Sequence, residues 1–162
     1  MAASPATANL FDIGTAKLLN AQDKKKFHKL TAKLLYLAKR EKPTILLALS
    51  YLTTRVMEPN EQDMQKLYRV LKFLNLTKDQ PLVLSAETDL RLRVYVDDAF
   101  ALHDDGKSHT GMVVKLGNAS VLVKSSKQRI VTKDSTEAEN SRTKSSPFVS
   151  SRRRRRRRSR GW

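Results

Sequence analysis

Two adjacent carboxylates, Asp97 and Asp98, are the residues whose types and spacing most directly suggest chemistry. They end the tetrapeptide YVDD that begins at Tyr95, and clustered carboxylates hold the Mg²⁺ ions of metal-dependent phosphoryl transfer. In polymerases that use such a pair, a tight turn between two apolar strands presents both acids to the metal ions. Here the next three residues are Ala-Phe-Ala, with no turn residue among them. A polymerase site at this position is therefore not predicted.

The charge balance points to a polyanionic partner. The chain has 162 residues, which suits about one domain and excludes a large multidomain enzyme. Lys and Arg number 32 against 16 Asp and Glu, a net charge of +16. Without eight arginines near the C-terminus, 24 basic residues still stand against 16 acidic ones, a net charge of +8. Those eight are Arg152, Arg153, Arg154, Arg155, Arg156, Arg157, Arg158 and Arg160. A body that is basic in its own right predicts nucleic acid as the partner.

Several classes of protein are excluded by composition. The chain has no Cys, so a disulfide scaffold, a thiolate zinc site and a Cys nucleophile are ruled out. The apolar run from Ile45 to Leu49 is far shorter than the roughly 20 residues that cross a bilayer, and residues 1–9 have no signal-peptide pattern. We therefore expect an intracellular protein, cytoplasmic or nuclear, with no membrane partner. The oligomeric state is left open.

The first half of the chain has helical periodicity. Apolar residues from Asp23 to Lys42 recur at helical spacing among lysines, and Asn20 is a candidate N-cap. Pro43 can open a second helix, in which apolar residues recur from Ile45 to Val56. A third helix begins after Asn60, with acidic residues in its first turn. The pattern predicts a small layer of three helices.

After Thr77 the period changes from 3.6 to 2. The predicted strands cover residues 81–85, 90–99, 110–116, 120–124 and 130–132. Gly117-Asn118 suits a tight hairpin turn between the third and fourth of them. Residues 134–137 have the composition of a helix N-terminus, but no apolar helical pattern follows. The fold class predicted is α+β, a three-helix layer followed by an antiparallel sheet.

Histidines and aromatic residues give weaker signals. No two histidines have metal-ligand spacing, so all three are predicted to be surface or strand-edge residues; they are His28, His103 and His109. Four aromatic residues at helical spacing are predicted to pack in the core, namely Tyr36, Tyr51, Tyr68 and Phe73. Phe100, close to Asp97, is retained as a candidate substrate contact.

Four blocks of sequence resemble a known family. They are FHKLTAKLLYLAKREKPTILLALSYLTTRV from Phe27, LYRVLKFLNLTKD from Leu67, YVDDAFALHDDGKSHTG from Tyr95 and KSSKQRIVTKDSTEAE from Lys124. In this order they resemble the copia-type retrotransposon polyprotein, from the end of its reverse transcriptase into the first half of its RNase H domain. The resemblance covers roughly residues 4–139. Two positions depart from the family, where Thr44 replaces an Asp and Leu76 replaces a Gly that closes the third helix.

The resemblance implies a two-metal hydrolase site. By it, Asp97 and Glu139 are the first two carboxylates of an RNase H site that uses Mg²⁺ to cleave RNA in RNA:DNA hybrids. The family's other Asp ligands lie beyond Glu139, where this chain departs from the family pattern. Asp97 could instead simply end a strand, and Glu139 could be a solvated acid at a helix start. The resemblance therefore implies an incomplete RNase H-like fold, expected to be catalytically inactive.

The organisation and function predicted are these. Residues 1–22 form a flexible lead-in, 23–77 a helical connection segment, 78–140 a partial RNase H-like domain and 141–162 a disordered Arg-rich tail. The eight arginines of the tail either bind phosphate groups nonspecifically or result from translation in an unrelated reading frame. The leading hypothesis is a retroelement polyprotein fragment with nucleic-acid-binding ancestry. The alternatives are a noncatalytic nucleic-acid-binding protein and a residual Mg²⁺-dependent RNase H.

Overall fold

The computed structural model of the chain describes residues 3–85, 91–129 and 131, and within these residues helices precede strands. The helices are α1 (Ala21–Arg40), α2 (Leu46–Thr54) and α3 (Glu61–Leu76), with short 3-10 helices at Ala8–Phe11 and Pro43–Ile45. The strands are β1 (Leu92–Ala99), β2 (His109–Leu116) and β3 (Ala119–Lys127). The predicted α+β class, three helices followed by an antiparallel sheet, is confirmed.

The helix termini are set by local hydrogen bonds that the sequence predicts. The side chain of Asn20 accepts a 2.8 Å hydrogen bond from the backbone N–H of Asp23 at the start of α1. Asn60 and Asp63 form a reciprocal capping box at the start of α3, with bonds of 2.8 and 3.1 Å. Arg55 Nε lies 3.2 Å from Oδ2 of Asp63, so the buried carboxylate is both paired and hydrogen bonded.

The hydrophobic core lies around α2, which packs against α1, α3 and β3. Six of the nine residues of α2 are buried, because the helix has neighbours on several sides. The core extends to α1 through Phe27 and to α3 through Leu67, both fully buried. Full burial of an aliphatic or aromatic side chain contributes roughly 1.5–3 kcal/mol, so this layer is the main source of stability for the fold.

The sheet is antiparallel with strand order β1-β2-β3. Its register places Asp97 opposite Gly111 and Asp98 opposite Thr110, and a bulge lies between Val114 and Lys115. The predicted hairpin turn is confirmed, and Gly117 has the left-handed φ of 58° that such a turn favours.

One strand predicted from the sequence is absent in this region. Residues 81–85 are not a strand but an extended coil, and the side chains of Val83 and Leu84 are 70% and 63% exposed. A short apolar run does not by itself supply a partner strand, and a strand without one cannot form its ladder. The strand predicted over residues 90–99 is confirmed from Leu92 to Ala99, and position 90 lies outside the described residues.

Several remaining predictions are settled in part. Tyr51 is buried and Phe73 packs partly against the core, whereas Tyr36 and Tyr68 are 66% and 40% exposed, so the core assignment is wrong for these two. Leu76 ends α3 without a left-handed residue, since Thr77 has a φ of −108°.

The predicted short strand at 130–132 falls largely outside the described residues, and the helix start at 134–137 and the tail lie outside them. Within the part of the chain that is described, no helix is long and apolar enough to span a membrane.

Candidate functional site

Asp97 is an exposed residue near the end of β1. The two carboxylates of the YVDD tetrapeptide point to opposite faces of the sheet, because side chains alternate along a strand. Asp98 is half-buried and lies opposite Thr110. The two acids therefore do not share one site, which agrees with the exclusion of a polymerase-type pair.

The described residues do not form a metal site by themselves. No group of three His, Asp or Glu side chains within residues 3–85, 91–129 and 131 is placed to hold a metal ion. Of the two predicted Mg²⁺ ligands the structure describes only Asp97, because Glu139 lies outside these residues, as do the eight arginines from Arg152 to Arg160.

A row of three residues crosses the sheet at Asp97. Gly111 lies opposite Asp97 on β2, and Ser125 lies opposite Gly111 on β3. Gly111 has no positive φ, and the block His109-Thr110-Gly111 forms the start of β2. A Cβ atom at position 111 would lie 3.8 Å from the backbone oxygen of Asp97, an ordinary contact. Because Gly111 has no side chain, the space beside the Asp97 carboxylate is open.

Ser125 belongs to a buried polar cluster that joins the sheet to α2. The Nε2 atom of His109 lies 2.7 Å from Ser125 Oγ and 3.3 Å from Ser50 Oγ. The two serine hydroxyls are 3.1 Å apart, and Nδ1 of His109 is 3.1 Å from Nε2 of His103. We call these four residues the His-Ser cluster. It bonds the sheet to the helical layer through side chains from α2, β2, β3 and the loop before β2.

Both histidines of the cluster are buried, so their predicted surface or strand-edge position is wrong in this respect. His103 is 6% exposed and His109 is 4% exposed, and the ring of Phe11 packs edge-on against both at 5.2 and 5.6 Å between ring centroids. Burial, with a smaller effect of the neighbouring His103, lowers the pKa of His109 to about 4. Burial also lowers the pKa of His103, and the charge of Lys127 acts in the same direction. At neutral pH the cluster is therefore held by uncharged imidazoles.

A second feature is a cleft of about 790 Å³ between the N-terminal segment and α3. We call it the cationic cleft; its lining includes Gln62, Gln65, Lys66, Arg69 and Lys72 on the α3 side and Asn9 and Asp12 on the other. Positions three or four apart share one face of a helix, so the three cations of α3 lie along one wall. Asp12 is the one acidic residue among those that line it.

Hydrogen bonds to the N-terminal segment fix two of these cations. Lys66 Nζ donates to the backbone oxygen of Asp12 at 2.6 Å and lies 4.9 Å from the ring centroid of Tyr51. Arg69 Nε donates to the backbone oxygen of Ser4 at 3.1 Å. Burial lowers the pKa of Lys66, while the charges of Asp63 and Asp12 act against that shift. The cleft therefore presents positive charge from side chains that are already oriented.

The lysine-rich start of α1 adjoins this cleft through Tyr68. Lys26 Nζ donates to the Tyr68 hydroxyl at 3.2 Å and lies 5.8 Å from the ring centroid. The sequence predicts the basic face of α1, but the cationic cleft is a site that sequence reasoning missed. The spacing of Lys66, Arg69 and Lys72 on one helix face was the available signal. Phe100 is 44% exposed at the end of β1, and its role as a substrate contact stays a prediction.

Sequence comparison relates this chain to polyproteins encoded by retrotransposons. It is 34% identical over 99 residues to the retrovirus-related Pol polyprotein from transposon RE1 of Arabidopsis thaliana, a match that covers 60% of this chain and 7% of that protein. It is 29% identical over 151 residues to the putative transposon Ty5-1 protein YCL074W of Saccharomyces cerevisiae, covering 85% of this chain and 49% of that relative. The chain thus spans at most about half the length of these relatives. No family model matches the chain, and no solved structure does.

Proposed function

We propose that this chain is a segment of a copia-type retrotransposon polyprotein and that it binds nucleic acid, with an RNA:DNA hybrid as its target, without catalysing a reaction. The cationic cleft is the observation that carries this proposal. Its supports are the similarity to retrotransposon polyproteins and the net charge of +8 that remains without the arginine run. We include in the same proposal that the chain acts in the cytoplasm or nucleus, where such a nucleic-acid partner would be found.

The cleft suits a phosphate backbone better than it suits a small neutral ligand. Lys66, Arg69 and Lys72 lie along one wall, and each cation that neutralises a phosphate releases counterions from the polymer. The amide side chains of Gln62 and Gln65 on the same wall can add uncharged hydrogen bonds to phosphate or sugar. Neither kind of contact reads base edges, so we expect binding with little sequence specificity.

The sheet is proposed to be the beginning of an RNase H-like fold. Its three antiparallel strands, with Asp97 exposed on β1, support that assignment. In this proposal Asp97 and Glu139 descend from Mg²⁺ ligands, and the site they belong to is incomplete. Mg²⁺ is therefore proposed as an ancestral cofactor.

Binding across a salt series tests the nucleic-acid proposal. The full chain should bind a labelled RNA:DNA hybrid with affinity that falls linearly on a log-log plot against salt. Lys72→Gln and Arg69→Gln should each lower the affinity and reduce the slope by roughly 0.9. Lys39→Gln, an equal charge change at the exposed end of α1, is the matched control and should have the smaller effect. Equal losses for all three variants would refute a specific role for the cleft.

The arginine run is proposed to add a second, independent phosphate contact. Deletion of residues 152–160 removes eight positive charges, so the salt slope should fall by several times the change seen for one cleft variant. An unchanged affinity and slope after deletion would show that the run makes no contribution. Since the deletion leaves the cleft intact, its effect should add to that of Lys72→Gln.

A residual RNase H activity is the second candidate function. The exposure of Asp97 beside the open space at Gly111 favours it, because a metal-dependent hydrolase needs an accessible carboxylate. The test measures Mg²⁺-dependent cleavage of the RNA strand of a hybrid by the purified chain, by Asp97→Asn and by Glu139→Gln. Asp79→Asn, at an exposed position after α3, serves as the control. Equal cleavage by the chain and Asp97→Asn would assign the signal to contamination and refute this candidate.

A further inference from the structure

Strand β1 is an edge strand of the described sheet. It pairs with β2 along one side, and no other described strand pairs with it. Three of its larger side chains are exposed, Leu92 at 58%, Val94 at 43% and Tyr95 at 54%. The edge of an eight-residue strand that no described strand covers is a template for another strand.

The charges on β1 are poorly matched to the strand beside it. Arg93 lies directly opposite Lys115, which places two like charges across the ladder. Asp97 lies opposite Gly111 and so has no side chain facing it from β2. Among the described residues neither Arg93 nor Asp97 has a salt bridge, and Lys115 Nζ instead lies 6.0 Å from the ring centroid of Tyr95. Each end of β1 therefore carries a charge that a neighbour on its free edge could neutralise.

We propose that β1 pairs antiparallel with β1 of a second copy of this chain, with the two-fold axis at Tyr95. In this arrangement Arg93 lies opposite Asp97 of the second copy, and the same pair recurs on the other side of the axis. Directly opposed residues share one face of a sheet, so the two side chains of each Arg–Asp pair lie on the same face and are close enough to form an ion pair. The strand's own sequence is thus self-complementary in charge, as a two-fold interface requires.

The register is set by that charge pattern and by the apolar face. With the axis at Tyr95, Val94 lies opposite Val96 of the second copy, which extends the apolar face that Val94 shares with Val114 and Leu122. An axis at Val94 would put Arg93 opposite Tyr95 and Asp97 opposite Arg91, which lies before the start of β1, so Arg93 would have no acidic partner to offset its like-charge contact with Lys115. An offset by one residue would place Arg93 opposite Val96 and Asp97 opposite Leu92 of the second copy, which removes both ion pairs. The interface neither requires nor excludes nucleic-acid binding, so its test is independent of the proposed function.

Charge reversal tests the interface in solution. After nuclease treatment, sedimentation of the full chain should show a concentration-dependent dimer. Arg93→Asp and Asp97→Arg should each weaken self-association roughly tenfold or more, because each creates two like-charge pairs. An equimolar mixture of the two variants should associate again, since every acidic position then faces a basic one, and the double variant should self-associate. A monomeric chain at all concentrations, or variants that dimerise as well as the wild type, would overturn the proposal.

A cysteine placed on the axis tests the register. The chain has no Cys, so Tyr95→Cys introduces a single thiol, and opposed Cα atoms about 4.5–5.5 Å apart suit a disulfide. Oxidation should convert this variant to a covalent dimer. Val121→Cys on β3, which is 56% exposed against 54% for Tyr95, is the matched control and should stay monomeric. Equal crosslinking of both variants, or crosslinking of Val121→Cys alone, would refute pairing through β1. Circular dichroism verifies that each variant is folded.

Discussion

The Nε2 atom of His103 lies 3.1 Å from Nδ1 of His109, and this contact connects the loop before β2 to the polar cluster that bonds the sheet to α2. His109 continues the connection to Ser125 and Ser50 through its other ring nitrogen. Both rings are buried, and a neutral imidazole has one donor and one acceptor nitrogen. The contact between sheet and helices therefore depends on the protonation state of these two histidines.

We expect the stability of the fold to fall as the pH drops below about 6.5. Burial lowers the pKa of His109 from 6.5 to about 4, so the unfolded chain binds a proton more readily than the folded one. The free energy of unfolding should be constant for this group above pH 6.5 and decrease by at most about 3 kcal/mol as the pH falls to about 4, with solvent screening making the measured value smaller. Urea unfolding at a series of pH values measures this change.

A histidine variant identifies the group responsible. His109→Gln should remove most of the pH dependence between 6.5 and 4, and His103, whose pKa burial also lowers, should account for the remainder. Asp105 titrates in a different window, because hydrogen bonding to Lys127 lowers its pKa to about 2; its contribution is present above about pH 4 and is lost as the pH falls further. A pH profile that is identical in wild type and His109→Gln would contradict the assignment.

Leu49→Ala should destabilise the fold strongly. Leu49 is fully buried at the centre of α2, and truncation of a buried leucine leaves a cavity in addition to lost apolar burial, at a cost of about 2–5 kcal/mol. Leu47→Ala is the matched control, because Leu47 lies on the same helix and is 44% exposed; its cost should be under about 1 kcal/mol. Chemical denaturation of both variants compares the two values. Similar losses would mean that α2 is not the centre of the core.

Asn60→Ala should lower stability by roughly 0.5–2 kcal/mol. The substitution removes the bond to the backbone N–H of Asp63 and a 3.1 Å bond from Nδ2 of Asn60 to the backbone oxygen of Gly14. The second bond ties the N-terminal segment to α3, so protease cleavage of that segment should also become faster. Asn75→Ala, at an exposed position near the end of α3, is the control and should change neither measurement.

Gly111→Ala should be tolerated by the fold. A Cβ atom at this position meets only the backbone oxygen of Asp97, at 3.8 Å, and Gly111 has no left-handed φ. The change in unfolding free energy should be within about 1 kcal/mol. If the space beside Asp97 is used for binding, affinity for an RNA:DNA hybrid should fall in Gly111→Ala although thermal stability does not. A large loss of stability would show that Gly111 serves packing.

Interactions between residues close in sequence, such as helix caps and turns, account for most of the helices and strands that the sequence predicts. The N-terminal caps at Asn20 and Asn60 predict the starts of α1 and α3 because a cap involves residues only three positions apart. The hairpin at Gly117 is predictable for the same reason. Residues 81–85 contain an apolar run that is equally suitable for a strand, but a strand also requires a partner, and nothing local to that segment provides one.

The features of the candidate sites also divide into those that neighbouring residues predict and those that depend on tertiary packing. Asp97 could be placed on a strand, and the resemblance to retroelement polyproteins could be stated, from runs of adjacent residues. The burial of His103 and His109 could not be predicted from adjacent residues, because Ser50 and Ser125 reach His109 from positions 59 and 16 residues away. The cationic cleft likewise forms only where the N-terminal segment meets α3, with Lys66 bonded to Asp12 across 54 positions. Caps, periods and turns are interactions between near neighbours along the chain, whereas burial, proton affinity and the grouping of charge depend on which distant segments pack together.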